Sequence, residues 1–423
     1  MFILYNILLT LLCLLGLPYF LFKLAFEKRY QYGVWERLGF LSKDKKEKIL
    51  DQCPIWFHAV SVGEASAVYP LYKAFKEKYP HQMVLFSTTT KTGQDWMEHK
   101  LFSKDVLIYF PIDLYWSVRR VLNVVRPTAF IAVETEIWPN FWWLAQKYHQ
   151  TKLALINGRL SDRSFHQYTK VRFFLKHVLN KVSMVSCQTE RDQERFIALG
   201  APSARVAVGG NLKFEVSIND ASKKQLGVGD APILVGGSTH AGEEEILIRC
   251  YQELKSFFPS LCLILAPRHP ERFKEVENLI LQMGEACFLE SHIEKEPWPK
   301  NSILLIDGMG KLPSYYSLAT IVFMGKSLTA EGGQNFLEPA ALGKAIIFGP
   351  HMENFRQSAE EFLKKEAVLE VRSENELKNA LQKLLDSTVL RGVLEKRAKE
   401  LVNKNKGALA LNLKYIETYV QNH

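Results

Sequence analysis

The chain has 423 residues, enough for two ordinary domains and an appendage, and its 23% charged and 12% aromatic residues with no long Gln, Ser or Gly tract exclude a disordered chain. A net charge of +9 favours anionic partners and leaves nucleic acid, anionic lipid and phosphorylated small molecules open. The six cysteines show no Cys-x-x-Cys and no His partner at zinc-finger spacing; Cys250 and Cys262 lie in apolar stretches, as reduced core thiols of a cytosolic protein do.

Residues 1–22, MFILYNILLTLLCLLGLPYFLF, carry no charged side chain and are long enough to cross a hydrocarbon core. Lys23, Lys28, Arg29, Arg37, Lys43, Lys45, Lys46 and Lys48 follow, so the positive-inside rule puts the remainder in the cytoplasm. A cleaved signal peptide would need a basic start and a small-x-small site, and neither is present. The reading is an uncleaved anchor, with interfacial embedding as a variant because Pro18 breaks into the helix.

Apolar runs then alternate with helical patterns. IWFHAV, MVLFSTTT, VLIYFPI, AFIAVETE, KLALING and MVSCQTE read as short buried strands of a parallel sheet, over residues 23–216. In the first βα unit, Glu64 falls in the turn after Ile55 to Val60 and before a helix expected over Ala65 to Phe75. A carboxylate there either caps the helix or faces a ligand at the carboxyl end of the sheet. Further along, Glu134 and Glu136 end a strand beside Trp138, Trp142 and Trp143. A basic aromatic run over 165–182 reads as one helix, core-packed or resting on anionic lipid, and Lys213 sits just before a polar linker at 217–232.

A second set of strands occupies 233–400: ILVGGSTH, CLILAPRHP, SILLIDG, TIVFMG and AIIFGP, followed by a charged C-terminal helix at 401–423. Both halves open with a strand, a glycine-containing turn and a helix with acids in its first turn. The economical fold is α/β, two Rossmann-like domains facing across a cleft. In GGSTHAGEEE, Ser238 and Thr239 read either as phosphate holders at a helix N-terminus or as plain caps. Arg268 and His269 in APRHPERF can donate to a phosphate or a base carbonyl, or simply be exposed loop residues. In GGQNFLEPAALGKAIIFGP, Asn335 and Glu338 share a helix face and can clasp two ribose hydroxyls, with DGMGKLPSYY as the matching loop. The chain has no P-loop, no Gly-x-Ser-x-Gly, and no Asp-x-Asp, His-x-His or His-Glu-x-x-His, so no metal and no cofactor is expected.

Taken in order, SVGEASAVYPL, ETEIWPNFWW, INGRLSDRS, GNLKF, GGSTHAGEEE, PRHPERF, DGMGKL and GGQNFLEPAALGKAIIFGPHMENF resemble the Kdo (3-deoxy-D-manno-octulosonic acid) transferases of lipopolysaccharide synthesis. The likeness runs from about residue 30 to the end and includes GVWERLGF after the apolar segment. It implies a GT-B fold, CMP-Kdo as donor and a lipid A precursor (lipid IVA) as acceptor, at the cytoplasmic face of the inner membrane, with no nucleic acid partner. It implies that Glu64 is the catalytic base, that Glu134 and Lys213 stabilise the transition state, and that Arg268, His269, Met309, Gly310, Lys311, Asn335, Phe336, Leu337 and Glu338 bind CMP. Gln334 departs from the family pattern, where a histidine is familiar. The alternatives are another two-domain nucleotide-sugar enzyme, or a membrane-anchored nucleotide-binding scaffold without catalysis.

Overall fold

The computed structural model describes residues 2–27, 31–215, 226–299 and 301–420. It divides into two compact units, one formed by Met1–Glu215 with Lys406–His423 and the other by Val216–Asn405. Most of the expected linker at 217–232 lies outside the described residues.

The first unit is built on β1 (Ile55–His58), β2 (Val84–Thr88), β3 (Val106–Tyr109), β4 (Ala129–Val133), β5 (Lys152–Gly158), β6 (Met184–Cys187) and β7 (Val206–Val208). They form one parallel sheet in the order β3-β2-β1-β4-β5-β6-β7. Helices between the strands cover both faces, which is why β1, β2, β4 and β6 read as continuous apolar runs and are buried throughout. Below the sheet, Trp56 meets Phe110, Phe130 and Phe141 edge-on at centroid distances of 5.9, 5.6 and 5.0 Å. Each such pair adds roughly 0.5–1.5 kcal/mol beyond the area it buries. The strand order reverses between β1 and β4, and in open α/β sheets that switch point is where ligands bind.

The C-terminal tail belongs to this unit. One helix over 401–423 was the expectation; instead Thr388–Lys404 and Ala408–Val420 are separate helices. Gly407 turns the chain with φ +97, and Glu215 Oε1 accepts from the N–H groups of Gly407 at 2.6 Å and Leu409 at 3.1 Å. The last helix then packs on Val62–Lys78, with Lys78 and Glu417 paired at 2.6 Å. The basic run at 165–182 is likewise two helices, Asp162–Lys170 and Arg172–Leu179, broken at Val171.

The second unit repeats the plan with β8 (Ile233–Thr239), β9 (Cys262–Pro267), β10 (Ala286–Leu289), β11 (Ser302–Leu305), β12 (Ile321–Met324), β13 (Ala345–Phe348) and β14 (Leu369–Glu370). The order is β10-β11-β9-β8-β12-β13-β14, all pairings parallel, with the switch between β8 and β12. Glycines let its strands and loops close up: a Cβ on Gly237 would collide with the Tyr316 hydroxyl, and one on Gly325 with the Ser238 carbonyl oxygen. Both units are thus Rossmann-like, as the sequence led us to expect.

Candidate active site

In the first unit the expected residues gather at the carboxyl edge of the sheet. The helix after β1 begins at Val62, three residues earlier than expected, so Glu64 lies inside its first turn. Ser61, the N-cap, makes no side-chain cap bond; Glu64 folds back instead and accepts from the Val60 N–H at 2.7 Å and the Ser61 hydroxyl at 3.3 Å. The capping reading is therefore real, but it is only half the account. Burial, and next the nearby charge of Glu134, push the Glu64 carboxyl from an ordinary 4.5 up to about 8 against the pull of its hydrogen-bond donors. A plain cap stays ionised at neutral pH.

Glu134 follows β4 directly and holds a left-handed backbone with φ +61, a conformation that costs a non-glycine residue about 1–3 kcal/mol. Its N–H bonds to the Ile156 carbonyl at 2.9 Å, which fixes that geometry from the neighbouring strand. Lys213 reaches it from a short turn after β7, with Nζ 3.2 Å from Glu134 Oε1. Asn157 supports that turn by accepting from the Leu212 N–H at 3.0 Å.

Two more groups adjoin this cluster. Burial raises Glu136 to about 7, and it lines a cavity of about 390 Å³ with Val60, Thr89, Thr135, Trp138 and Tyr168. His58, at the end of β1, is fully buried and lowered to about 3, stacked 3.9 Å from the Phe110 ring. Its Nε2 lies 3.9 Å from Glu136 Oε2, and because the imidazole is neutral the contact is not an ion pair. Sequence reasoning gave His58 no role, since a histidine inside an apolar strand carries no spacing signal.

The second unit sorts its candidates differently. Ser238 and Thr239 are the last residues of β8, not a helix N-terminus; the helix opens only at Glu243. Its first residues are acids engaged with neighbouring loops. Glu243 is wholly buried and accepts from the N–H groups of His240, Lys326, Ser327 and Leu328 at 2.8–3.0 Å, while the buried Glu244 holds Arg272 at 2.7 Å. The turn is thus a brace between the β8 and β12 loops, and Ser238 and Thr239, expected at the helix terminus as phosphate holders or plain caps, lie at the end of β8 instead. Ser238 keeps a left-handed backbone, φ +53, and the buried Thr239 hydroxyl has no hydrogen-bond partner among the described residues.

Arg268 leaves the end of β9 exposed, and its charge acts on both Glu338 and Tyr316. His269 stands edge-on to His240 at 5.2 Å. Met309 and Gly310 sit at an exposed turn, Gly310 with φ +79. Lys311 pairs with the buried Glu290 carboxylate, which also accepts from the Tyr315 hydroxyl at 2.9 Å. Asn335 Nδ2 donates to Glu338 Oε1 at 3.0 Å, and burial raises the Glu338 carboxyl. Asn335 precedes the helix, which begins at Leu337, so the two meet across its first turn rather than along one face. Phe336 and Leu337 are fully buried, Phe336 against Phe348, Phe355 and Phe362, so these two side chains serve the core. Gly333 makes room at the loop's start: with φ +68, a Cβ there would meet Met352 Sδ at 2.6 Å.

Among the described residues no group of three or more His, Cys, Asp or Glu side chains is arranged to hold a metal.

The family described as 3-Deoxy-D-manno-octulosonic-acid transferase (kdotransferase) matches residues 32–216. The 3-deoxy-D-manno-octulosonic acid transferase of Haemophilus influenzae is 34% identical over 93% of this chain and 92% of its own length. That of Rickettsia felis is 31% identical over 87% and 80%. A UDP-GlcNAc 2-epimerase from Neisseria meningitidis, 16% identical, superposes with a TM-score of 0.52 over 88% of this chain and all of its own, a likeness of fold alone. With two Rossmann-like units and relatives of this identity over nearly its whole length, the chain belongs to the 3-deoxy-D-manno-octulosonic acid transferase family.

Proposed function

We propose that this glycosyltransferase moves Kdo from CMP-Kdo to a sugar hydroxyl of a lipid A precursor, without a metal, with Glu64 as base. The acceptor oxygen forms a bond to the anomeric carbon as the bond from that carbon to the CMP phosphate oxygen breaks. The hydroxyl proton passes to Glu64, and CMP leaves with the bonding electron pair. The observation that carries this reading is the Glu64 carboxyl itself, held by the Val60 N–H and raised to about 8. A base works best when its pKa lies near the operating pH; raised to about 8, Glu64 holds a proton more strongly than an ordinary carboxylate, and it is its ionised form that takes the acceptor proton.

Glu134 and Lys213 form a charged pair beside that base, and their role is to stabilise charge that develops as the glycosidic bond changes hands. The nucleotide contacts are assigned to the second unit. Arg268 answers the phosphate, and the Asn335–Glu338 pair answers the ribose hydroxyls. Lys311 acts with its Glu290 partner, and Met309, Gly310, Phe336 and Leu337 contribute through position and main chain. Ser238 and Thr239 line the approach at the end of β8. The apolar N-terminal helix and the basic residues after it support a place at the cytoplasmic face of the inner membrane, where a lipid acceptor resides.

The direct test is product formation. Purified full-length protein, CMP-Kdo and a lipid A precursor in detergent or vesicles are expected to release CMP and give an acceptor heavier by one or more Kdo groups. CMP-Kdo binding with no transfer to any lipid acceptor would overturn the proposal and favour the scaffold reading.

A further inference from the structure

The Phe2–Phe26 helix is fastened to the first unit at its start, and the chain beyond it returns to the same segment. At its start, the Tyr5 hydroxyl donates to Asp113 Oδ2 at 3.0 Å. Asn6 and Asn140 exchange amide hydrogen bonds in both directions, at 2.8 and 2.9 Å. Asp113 is itself fixed, accepting from the N–H groups of Asn140 at 3.0 Å and Phe141 at 2.8 Å. Around this clasp, Phe2 stacks on Trp143 at 4.9 Å and Tyr5 on Phe174 at 5.2 Å. Beyond the helix, Val34–Arg37 is tied to the neighbours of Asp113: Tyr109 N–H to Glu36 Oε2 at 2.8 Å, Ile112 N–H to the Arg37 carbonyl at 2.8 Å, and the Ser117 hydroxyl to the same carbonyl at 2.7 Å.

These contacts decide the topology. From Tyr5 to Phe26 a helix is about 30 Å long, the thickness of a hydrocarbon core. Were it to cross the bilayer with its basic end on the side of the catalytic unit, Tyr5 and Asn6 would lie on the far side, out of reach of Asp113 and Asn140. The clasp and a spanning helix exclude each other.

The surface beside the clasp fits a lipid leaflet. Leu12, Leu15 and Tyr19 are 67%, 81% and 65% exposed, and residues 11–19 are exposed all round. An apolar groove of about 520 Å³ runs between the start of this helix and Leu114, Tyr115, Trp116 and Trp143. Cations stand over the neighbouring rings: Lys147 4.6 Å from Trp143, Arg120 5.1 Å from Trp116, and Arg119 5.3 Å from Tyr148. Aromatic and basic side chains in this mixture occupy the headgroup level of anionic membranes.

We propose that the helix is an in-plane element: docked sideways by the Tyr5–Asp113 and Asn6–Asn140 clasp, it embeds residues 11–19 in the single leaflet on which the catalytic unit sits. This rests on the membrane placement proposed above and replaces its spanning form with the interfacial one. Two measurements on full-length protein in native membranes test it. Asn6→Cys with Asn140→Cys, in a background where exposed Cys13 and Cys53 are Ser, is expected to be joined by a short bis-maleimide. An N-terminal tag on the otherwise unaltered protein, in sealed vesicles, is expected to be digested by protease only from the side that also exposes the catalytic unit. Digestion only from the opposite side, with no cross-link, would overturn the proposal, and the tagged protein decides the matter even where the cysteine pair fails to fold. Neither readout uses CMP-Kdo or an acceptor, so failure of the proposed reaction would leave both results standing.

Discussion

Lys213 Nζ and Glu134 Oε1 lie 3.2 Å apart, one from the turn after β7 and the other on the strained residue that follows β4, both side chains about one-fifth exposed. This contact gathers into one place two residues separated by most of a domain in sequence. It also sets a positive charge beside the acid whose own charge helps raise Glu64.

Replacing Lys213 by Met removes that charge and leaves Glu134 unanswered. Transfer is expected to fall by roughly 10²–10³-fold, the scale of losing one preorganised electrostatic donor. Lys213→Arg is expected to recover part of it. Donor affinity, measured by CMP-Kdo titration, is expected to change little.

The pH dependence of stability has a definite sign. Glu64 is raised in the folded state, so between about pH 4.5 and about 8 the unfolded chain has lost this proton while the folded chain keeps it. Stability from this group is therefore lost as pH rises through that window, and the loss is complete above it. Melting temperatures of wild type and Glu64→Gln, compared at pH 5 and pH 9, are expected to shift in favour of the variant at the higher pH. A constant difference across that range would mean that the carboxyl is not raised.

Glu243 is expected to matter through structure alone. Glu243→Ala strips four N–H groups of their acceptor in the loops that follow β8 and β12. A buried donor left unsatisfied costs about 1–3 kcal/mol, so the variant is expected to melt well below wild type and to bind CMP-Kdo more weakly. Unchanged melting would remove the brace from this account.

Transfer is expected to persist in EDTA, since the chain lacks Asp-x-Asp and the reading assigns charge stabilisation to side chains. Activity lost to the chelator and restored by magnesium would contradict it.

Much of this was legible in the sequence because buried parallel strands are continuous apolar runs. β1 to β6, β8, β9 and β11 to β13 all stand where such runs occur. β7, β10 and β14 were missed for a physical reason: they are partly exposed edge strands, and their apolar stretches, Val206–Val208, Ala286–Leu289 and Leu369, are short and stand among polar residues. The turn after β8 shows what such runs leave out. Ser238 and Thr239 read as phosphate holders or as caps at a helix start, yet the helix opens only at Glu243, and Glu243 and Glu244 are taken up by the loop N–H groups and Arg272, which no spacing rule reveals. Phe336 and Leu337 show the same limit, since motif likeness cannot separate a ligand-facing side chain from one turned into the core.

The central claim is that Glu64 takes the acceptor proton, and Glu64→Gln tests it most directly. Glutamine keeps the shape and one acceptor oxygen for the Val60 N–H but cannot take a proton. The measurement is turnover of CMP-Kdo with a lipid A precursor, with donor affinity and melting temperature taken on the same preparation. The account predicts transfer reduced by roughly 10²–10⁴-fold, the range for a lost general base, with donor affinity near wild type and the fold intact. Near-wild-type turnover in a folded variant would contradict it and leave Glu64 as a helix cap.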